Sequence, residues 1–186
     1  MRLILASASP RRADLLRSAG FAFEAVPSDV DETPEAGEPA ERYTLRVARD
    51  KARHVAEFPS SSGAVVLAAD TEVVVDCRIL GKPASPENAG AMLRILSGAA
   101  HDVLTAVVVR RNDREVSEVL TTRVYFAPLS PQDIGWYLAS GEPMGKAGAY
   151  AIQGLGARFV ERIEGSWSSV VGLPIATVHR LLREVQ

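Results

Sequence analysis

The chain has 186 residues, 47% of them hydrophobic, and a formal net charge of -2. This length and apolar content suffice for one globular domain and exclude a disordered chain, while the near-neutral charge confines any cationic surface to a local patch and argues against a dedicated nucleic-acid binder. A single cysteine, Cys77, rules out an intrachain disulfide, and His54, His101 and His179 show no metal-binding spacing, so a reducing cytoplasm is the expected setting.

Leu3 to Ala6 reads as a buried strand. It is too short, and too closely followed by Ser9-Pro10-Arg11-Arg12, to be a signal peptide or a membrane span, so no membrane partner is expected. Ser9-Pro10 opens a helix that Gly20 closes, by placing a capping residue before a proline at the first helical position. Residues 27–39 are rich in Pro, Asp, Glu and Gly and read as an exposed acidic loop. A helical pattern runs over residues 40–58, and residues 60–63 form a turn.

Residues 64–69 read as an apolar strand that continues or restarts over Val73 to Val75, with a bend expected at Asp70-Thr71 and a hairpin turn at residues 76–78. Ser85-Pro86 opens a second Ser-Pro helix closed by Gly98. Residues 103–110 and a strand running to about Phe126 flank a turn at Asn112-Asp113. Ser130-Pro131 opens a third such helix, closed by Gly141. Residues 141–172 hold seven of the 14 glycines, which implies turns and close backbone approaches, and a last helix follows Pro174. Strands mixed with helices and hairpins predict an α/β fold on a mixed sheet.

A helix N-terminus carries partial positive charge and favours acids in its first turn. Glu87 and Asp133 meet that expectation, but Ser9-Pro10 is followed by two arginines. Arg11 and Arg12, with the hydroxyls of Ser7 and Ser9, therefore form a candidate phosphate site; the alternative is that both arginines face solvent or pair with acids of the 27–39 loop.

On a helical wheel Arg42, Arg46, Arg49 and Arg53 form one face and Tyr43, Val47, Ala48, Ala52 and Val55 the opposite arc, with Lys51 inside that arc. Glu41, Asp50 and Glu57 interrupt the arginines, so a solvated face is the better reading than a nucleic-acid stripe. Lys51 has two open readings: it snorkels to water, or it reaches a buried anion.

Asp70 follows directly on a core strand, where an unpaired charge is unfavourable, so it is a candidate to bind Mg²⁺ or to orient and deprotonate a water; capping a turn with Thr71 is the plainer alternative. Glu72 would share its face under strict strand alternation. Lys82, beyond the hairpin, either folds back toward Asp70 or is an ordinary surface lysine.

Six blocks occur in order: Ser7-Ala-Ser-Pro-Arg-Arg, Asp70-Thr71, Gly81-Lys-Pro, Thr105-Ala-Val, Lys146-Ala-Gly-Ala-Tyr-Ala-Ile-Gln-Gly, and Gly165-Ser with Val170-Val-Gly-Leu-Pro. Together they resemble the Maf family of nucleoside triphosphate pyrophosphatases over nearly the whole chain. The resemblance implies a single domain over residues 1–186 with a two-lobed α/β fold of the inosine triphosphate pyrophosphatase type, a central nucleotide cleft, a homodimer, and dependence on a divalent cation, Mg²⁺ or Mn²⁺. It implies Asp70 as catalytic proton acceptor, with Arg11, Thr71 and Gln153 bearing on substrate choice. Ser9, Arg12, Lys51, Lys82 and Glu32 match phosphate, metal or cleft contacts, with Asp70 and Glu32 as the metal carboxylates.

The Ile152-Gln153-Gly154 form resembles the branch acting on dTTP and UTP rather than the branch acting on 7-methyl-GTP, and a glutamine amide offers a donor and an acceptor that can match the imide edge of thymine or uracil. The alternatives are a 7-methyl-GTP or modified-nucleotide pyrophosphatase and a non-catalytic nucleotide-binding regulator of septum formation. Glu72 departs from the family pattern, which has an apolar residue there. The expected geometry sets the basic start of the first helix and Asp70 facing one cavity.

Overall fold

The computed structural model describes residues 2–185. Among these, the strands are β1 (Leu3–Leu5), β2 (Glu24–Ala25), β3 (Val65–Val75), β4 (Arg78–Ile79), β5 (Ala100–Arg111), β6 (Arg114–Phe126) and β7 (Val160–Glu164). The helices are α1 (Pro10–Ser18), α2 (Ala40–Ala56), α3 (Pro86–Leu96), α4 (Pro131–Ala139), α5 (Trp167–Val171) and α6 (Ile175–Glu184). The strands join one sheet in the order β2-β1-β3-β5-β6-β7, with β4 beside β3. β1 is parallel to β2 and β3, whereas β4 is antiparallel to β3 and β7 to β6, so the sheet is mixed, as the sequence predicts.

The chain divides into two compact units, and their boundaries fall inside β3, after β5 has begun and before β6 ends. The first comprises the segment ending at Asp70, Thr105–Leu120 and the segment starting at Gly172; the second comprises Thr71–Leu104 and Thr121–Val171.

The first unit is built around parallel strands buried on both faces, which is why Leu3 to Ala6 and residues 64–69 are unbroken apolar runs rather than alternating ones. Leu3, Leu5, Val65, Leu67 and Ala69 pack with Leu16 of α1 and Val178, Leu181 and Leu182 of α6. Ile4, Ala6, Val66 and Ala68 turn to the other face, beneath Ala48, Ala52 and Val55 of α2. Each fully buried aliphatic side chain in these layers contributes about 1.5–3 kcal/mol relative to exposure. Leu5 pairs with Leu67, so β1 stops beside the third residue of β3, and Asp70 is the first polar residue of β3 past that point.

The bend expected at Asp70-Thr71 does not occur: β3 is one strand of 11 residues. Its second half is held by the hairpin to β4, where Val74 pairs with Ile79. The two loop residues, Asp76 (φ 47°) and Cys77 (φ 64°), have the left-handed conformations that a tight hairpin requires. Continuity of the strand places Asp70 and Glu72 on the same face.

In the second unit an aromatic cluster of His101, Phe126, Tyr137, Tyr150 and Phe159 fills the core between strands and α4. The glycine-rich segment makes the close approaches expected of it. Gly148 (φ 66°) lies where an added Cβ would sit 2.8 Å from Val73, and its N–H donates to the carbonyl of Gly81 at 2.8 Å. The same segment also contains β7 and α5, which the sequence reading treats as irregular.

Candidate active site

The amino end of α1 is built differently from the other two Ser-Pro helix starts. Ser85 accepts a hydrogen bond from the Asn88 N–H, and Ser130 forms a reciprocal box with Asp133. Ser9 caps nothing, and the first turn of α1 holds no acid. Its own N–H instead donates to Ser7 Oγ at 3.2 Å.

Arg12 is anchored: its Nε donates to the Gly172 carbonyl at 2.9 Å and its Nη1 to Ser7 Oγ at 3.2 Å. Ser7 is buried, accepts from two donors, and keeps its O–H proton to give to a third group. Arg11 is half-buried, and no residue among those described offers it a hydrogen bond or a counter-ion. Burial alone lowers its pKa from the ordinary arginine value. A desolvated guanidinium at a positively polarised helix end is suited to receive an anion. The reading in which Arg11 pairs with an acid of the 27–39 loop does not hold: Glu38 of that loop binds Arg46 at 2.7 Å, and Glu32 binds Lys51.

The second cluster lies on β3 and α2. Alternation along β3 sends Asp70 to the face covered by α2, the face that Val66 and Ala68 also occupy. There Lys51 Nζ donates to Asp70 Oδ1 at 2.7 Å and pairs with Glu32 Oε1 at 2.6 Å. Lys51 therefore reaches one buried anion, Asp70, and one exposed one, Glu32, although it sits among apolar neighbours. Asp70 is only 5% exposed, and its Oδ2 is buried with no hydrogen-bond partner. A native carboxylate oxygen left this way has a pending partner, since an unsatisfied buried acceptor is destabilising by about 1–3 kcal/mol or more.

Two carboxylates converging on one ammonium, one of them with an open oxygen, fit a hard cation that draws its remaining ligands from phosphate and water. Among the described residues no group of three or more His, Cys, Asp or Glu is placed to hold a metal ion by itself.

The arginine face of α2 is an ion-paired surface, as the interleaved acids suggest: Arg46 binds Glu38, Arg49 binds Glu115 at 3.0 Å and Arg53 binds Asp50 at 3.1 Å.

The first unit thus assembles Ser7, Ser9, Arg11 and Arg12 at the start of α1, and Lys51, Glu32 and Asp70 between α2 and β3. The first group lies where the chain leaves the carboxyl end of β1, and Asp70 lies on β3 three residues past Leu67, the partner of Leu5. The other three sequence candidates belong to the second unit. Thr71 is half-buried in β3, Lys82 is exposed between β4 and α3, and Gln153 is exposed on the turn that follows Ala151.

One residue of that turn's surroundings escapes sequence reasoning. Glu142 accepts hydrogen bonds from Tyr137 Oη, Leu155 N and Gly156 N. A lone acid in Ser-Gly-Glu-Pro has no periodicity or spacing to mark it, so only the folded geometry exposes this arrangement.

The chain matches the family model described as Maf-like protein over residues 2–185. It is 54% identical to a protein of an Anaeromyxobacter species named dTTP/UTP pyrophosphatase, over 98% of this chain and 88% of that one. Proteins of the same name from Koribacter versatilis and Methylococcus capsulatus are each 50% identical, the first over 98% of this chain and 94% of its own, the second over 100% and 91%. Among solved structures, the Staphylococcus aureus Ham1 protein is similar at a TM-score of 0.44 and 16% identity, over 68% of this chain and 71% of that one.

Proposed function

This chain belongs to the Maf-like protein family, and on that premise we propose that it hydrolyses nucleoside triphosphates, dTTP and UTP preferred, to the nucleoside monophosphate and pyrophosphate. The observation that carries the reading is the open Oδ2 of Asp70 on a carboxylate whose other oxygen is fixed by Lys51.

In this reading the triphosphate lies against the amino end of α1. Arg11 supplies an unshared guanidinium, Ser7 and Ser9 supply hydroxyl donors, and Arg12 holds Ser7 in place while adding positive charge. These groups stabilise negative charge as it builds on the leaving pyrophosphate, and being preorganised they need no rearrangement to do so. Asp70 Oδ2 accepts a proton from the water that attacks the α-phosphorus in line with the departing pyrophosphate. Lys51 keeps Oδ1 occupied, so Oδ2 is the oxygen left to the water. Mg²⁺ or Mn²⁺, held by Asp70 with Glu32 and phosphate oxygens, would draw charge from the phosphorus when bound.

Lys82 adds a further phosphate contact, and Thr71 and Gln153 act in substrate choice. The Gln153 amide offers one donor and one acceptor, the complement of the imide edge of thymine or uracil. The protein works in the cytoplasm as a homodimer on small nucleotides, not on nucleic acid or membranes. An exposed, unpaired Cys77 supports a reducing compartment.

The test is pyrophosphate release from a panel of canonical and modified triphosphates, with and without Mg²⁺. The reading expects dTTP and UTP as the best substrates and Mg²⁺-dependent turnover. Binding without hydrolysis, or dTTP and UTP among the poorest substrates, would overturn it.

A further inference from the structure

Glu142 sits in the second unit at the foot of the turn that carries Gln153, and three donors converge on its carboxylate. Oε1 accepts from Tyr137 Oη at 2.8 Å and from Gly156 N at 3.0 Å, and Oε2 accepts from Leu155 N at 3.0 Å. Tyr137 is fully buried and its hydroxyl in turn accepts from Ala151 N at 3.0 Å. Backbone groups on both sides of Gln153, at residue 151 and at residues 155 and 156, are therefore tied to one Glu142–Tyr137 pair.

The fit leaves no room for a Cβ at Gly156, and one at Gly154 would displace the Glu142 carboxylate. A Cβ added at Gly154 would lie 2.2 Å from Glu142 Oε2, and one at Gly156 would lie 2.8 Å from Tyr137 Oη. Desolvation pushes the Glu142 carboxyl upward, yet the Leu155 N–H, the Tyr137 hydroxyl, the Gly156 N–H and the Lys146 charge outweigh it, and its pKa falls below the usual glutamate value. Burial and the Glu142 hydrogen bond raise the Tyr137 phenol, so it remains a donor. Gln153 itself is exposed and makes no hydrogen bond to any described residue. Its amide is presented by the turn rather than held by its own contacts.

Glu142 is half-buried, and a partly desolvated charged acceptor adds little stability to a surface turn, because desolvation offsets part of the gain, but it fixes geometry well. We propose that Glu142 is a positioning residue that sets the conformation of the Gln153 turn and through it the selectivity for the thymine and uracil bases. The proposal rests on the reading of Gln153 as the base-recognising residue.

The test compares dTTP with dCTP, which has the same ring size but lacks the imide, in steady-state kinetics of Glu142→Gln, Gln153→Ala and the double variant. Glu142→Gln turns an amide N–H₂ toward a donor, so kcat/KM for dTTP is expected to fall about tenfold, mainly through KM, and the dTTP to dCTP ratio to fall with it. In the Gln153→Ala background Glu142→Gln is expected to add less than about a twofold further loss, since both act through one contact. Equal losses on the two substrates, or multiplying losses in the double variant, would overturn the positioning role.

The two levels fail separately. If Gln153→Ala leaves the ratio unchanged, the reading of Gln153 is wrong and the proposal falls with it. If Gln153→Ala collapses the ratio and Glu142→Gln leaves it intact, the proposal alone is wrong. Should Glu142→Gln not fold, Tyr137→Phe removes one donor and keeps the carboxylate; a drop in the ratio of about threefold supports the proposal, and an unchanged ratio overturns it.

Discussion

Lys51 Nζ lies 2.7 Å from Asp70 Oδ1, and both side chains are more than nine-tenths buried. A buried ion pair of this kind adds little net stability over an apolar pair of the same volume. Removing one partner is different, since it strands a charge. Lys51→Met is expected to destabilise the protein by about 3 kcal/mol or more, because Asp70 loses its cation, and Lys51→Met with Asp70→Asn to recover most of that loss while remaining inactive. Denaturant unfolding at neutral pH measures both; a Lys51→Met variant as stable as the parent would contradict the pairing.

Arg11 behaves oppositely, because no described residue depends on it. Arg11→Ala removes a desolvated cation from the positive end of α1, so its Tm is expected to equal or exceed that of the parent. Loss of one charge-assisted contact to phosphate should raise KM for dTTP by about tenfold or more. A lowered Tm with unchanged KM would assign Arg11 a structural role instead.

The contrast between these two residues shows what the sequence makes legible. Arg11 was readable because its sign breaks a local rule, that helix starts favour acids, and a local rule needs no tertiary information. Asp70 was readable because a charge follows a core run. Lys51 was only half-readable: the wheel places it in the apolar arc, but which anion it meets depends on the register of β3 beneath α2. A polar pair such as Asp70-Thr71 resembles a strand end in sequence, whereas the hairpin that extends β3 past it lies further along the chain. Glu142 left no trace, since its partners are backbone N–H groups, which are the same in every sequence.

His101 gives the fold a pH signature. Its Nε2 lies 2.9 Å from Tyr150 Oη, its Nδ1 is buried without a partner, and desolvation lowers its pKa from 6.5 to about 4 against a smaller upward pull from Asp102. Between those values the unfolded chain binds the proton that the folded chain refuses. Its stabilising contribution is thus complete above about pH 6.5 and is lost as pH falls toward 4, by up to about 3 kcal/mol. Thermal melts across that range should fall less steeply for His101→Gln than for the parent; parallel curves would show that His101 titrates normally.

The most direct measurement is dTTP turnover and dTTP affinity for Asp70→Asn beside the parent protein in Mg²⁺. Asparagine keeps the shape and loses the proton-accepting oxygen, so turnover is expected to fall by a factor of about 10² to 10⁴ while the nucleotide still binds. Turnover close to that of the parent would contradict the assignment of Asp70 as the proton acceptor.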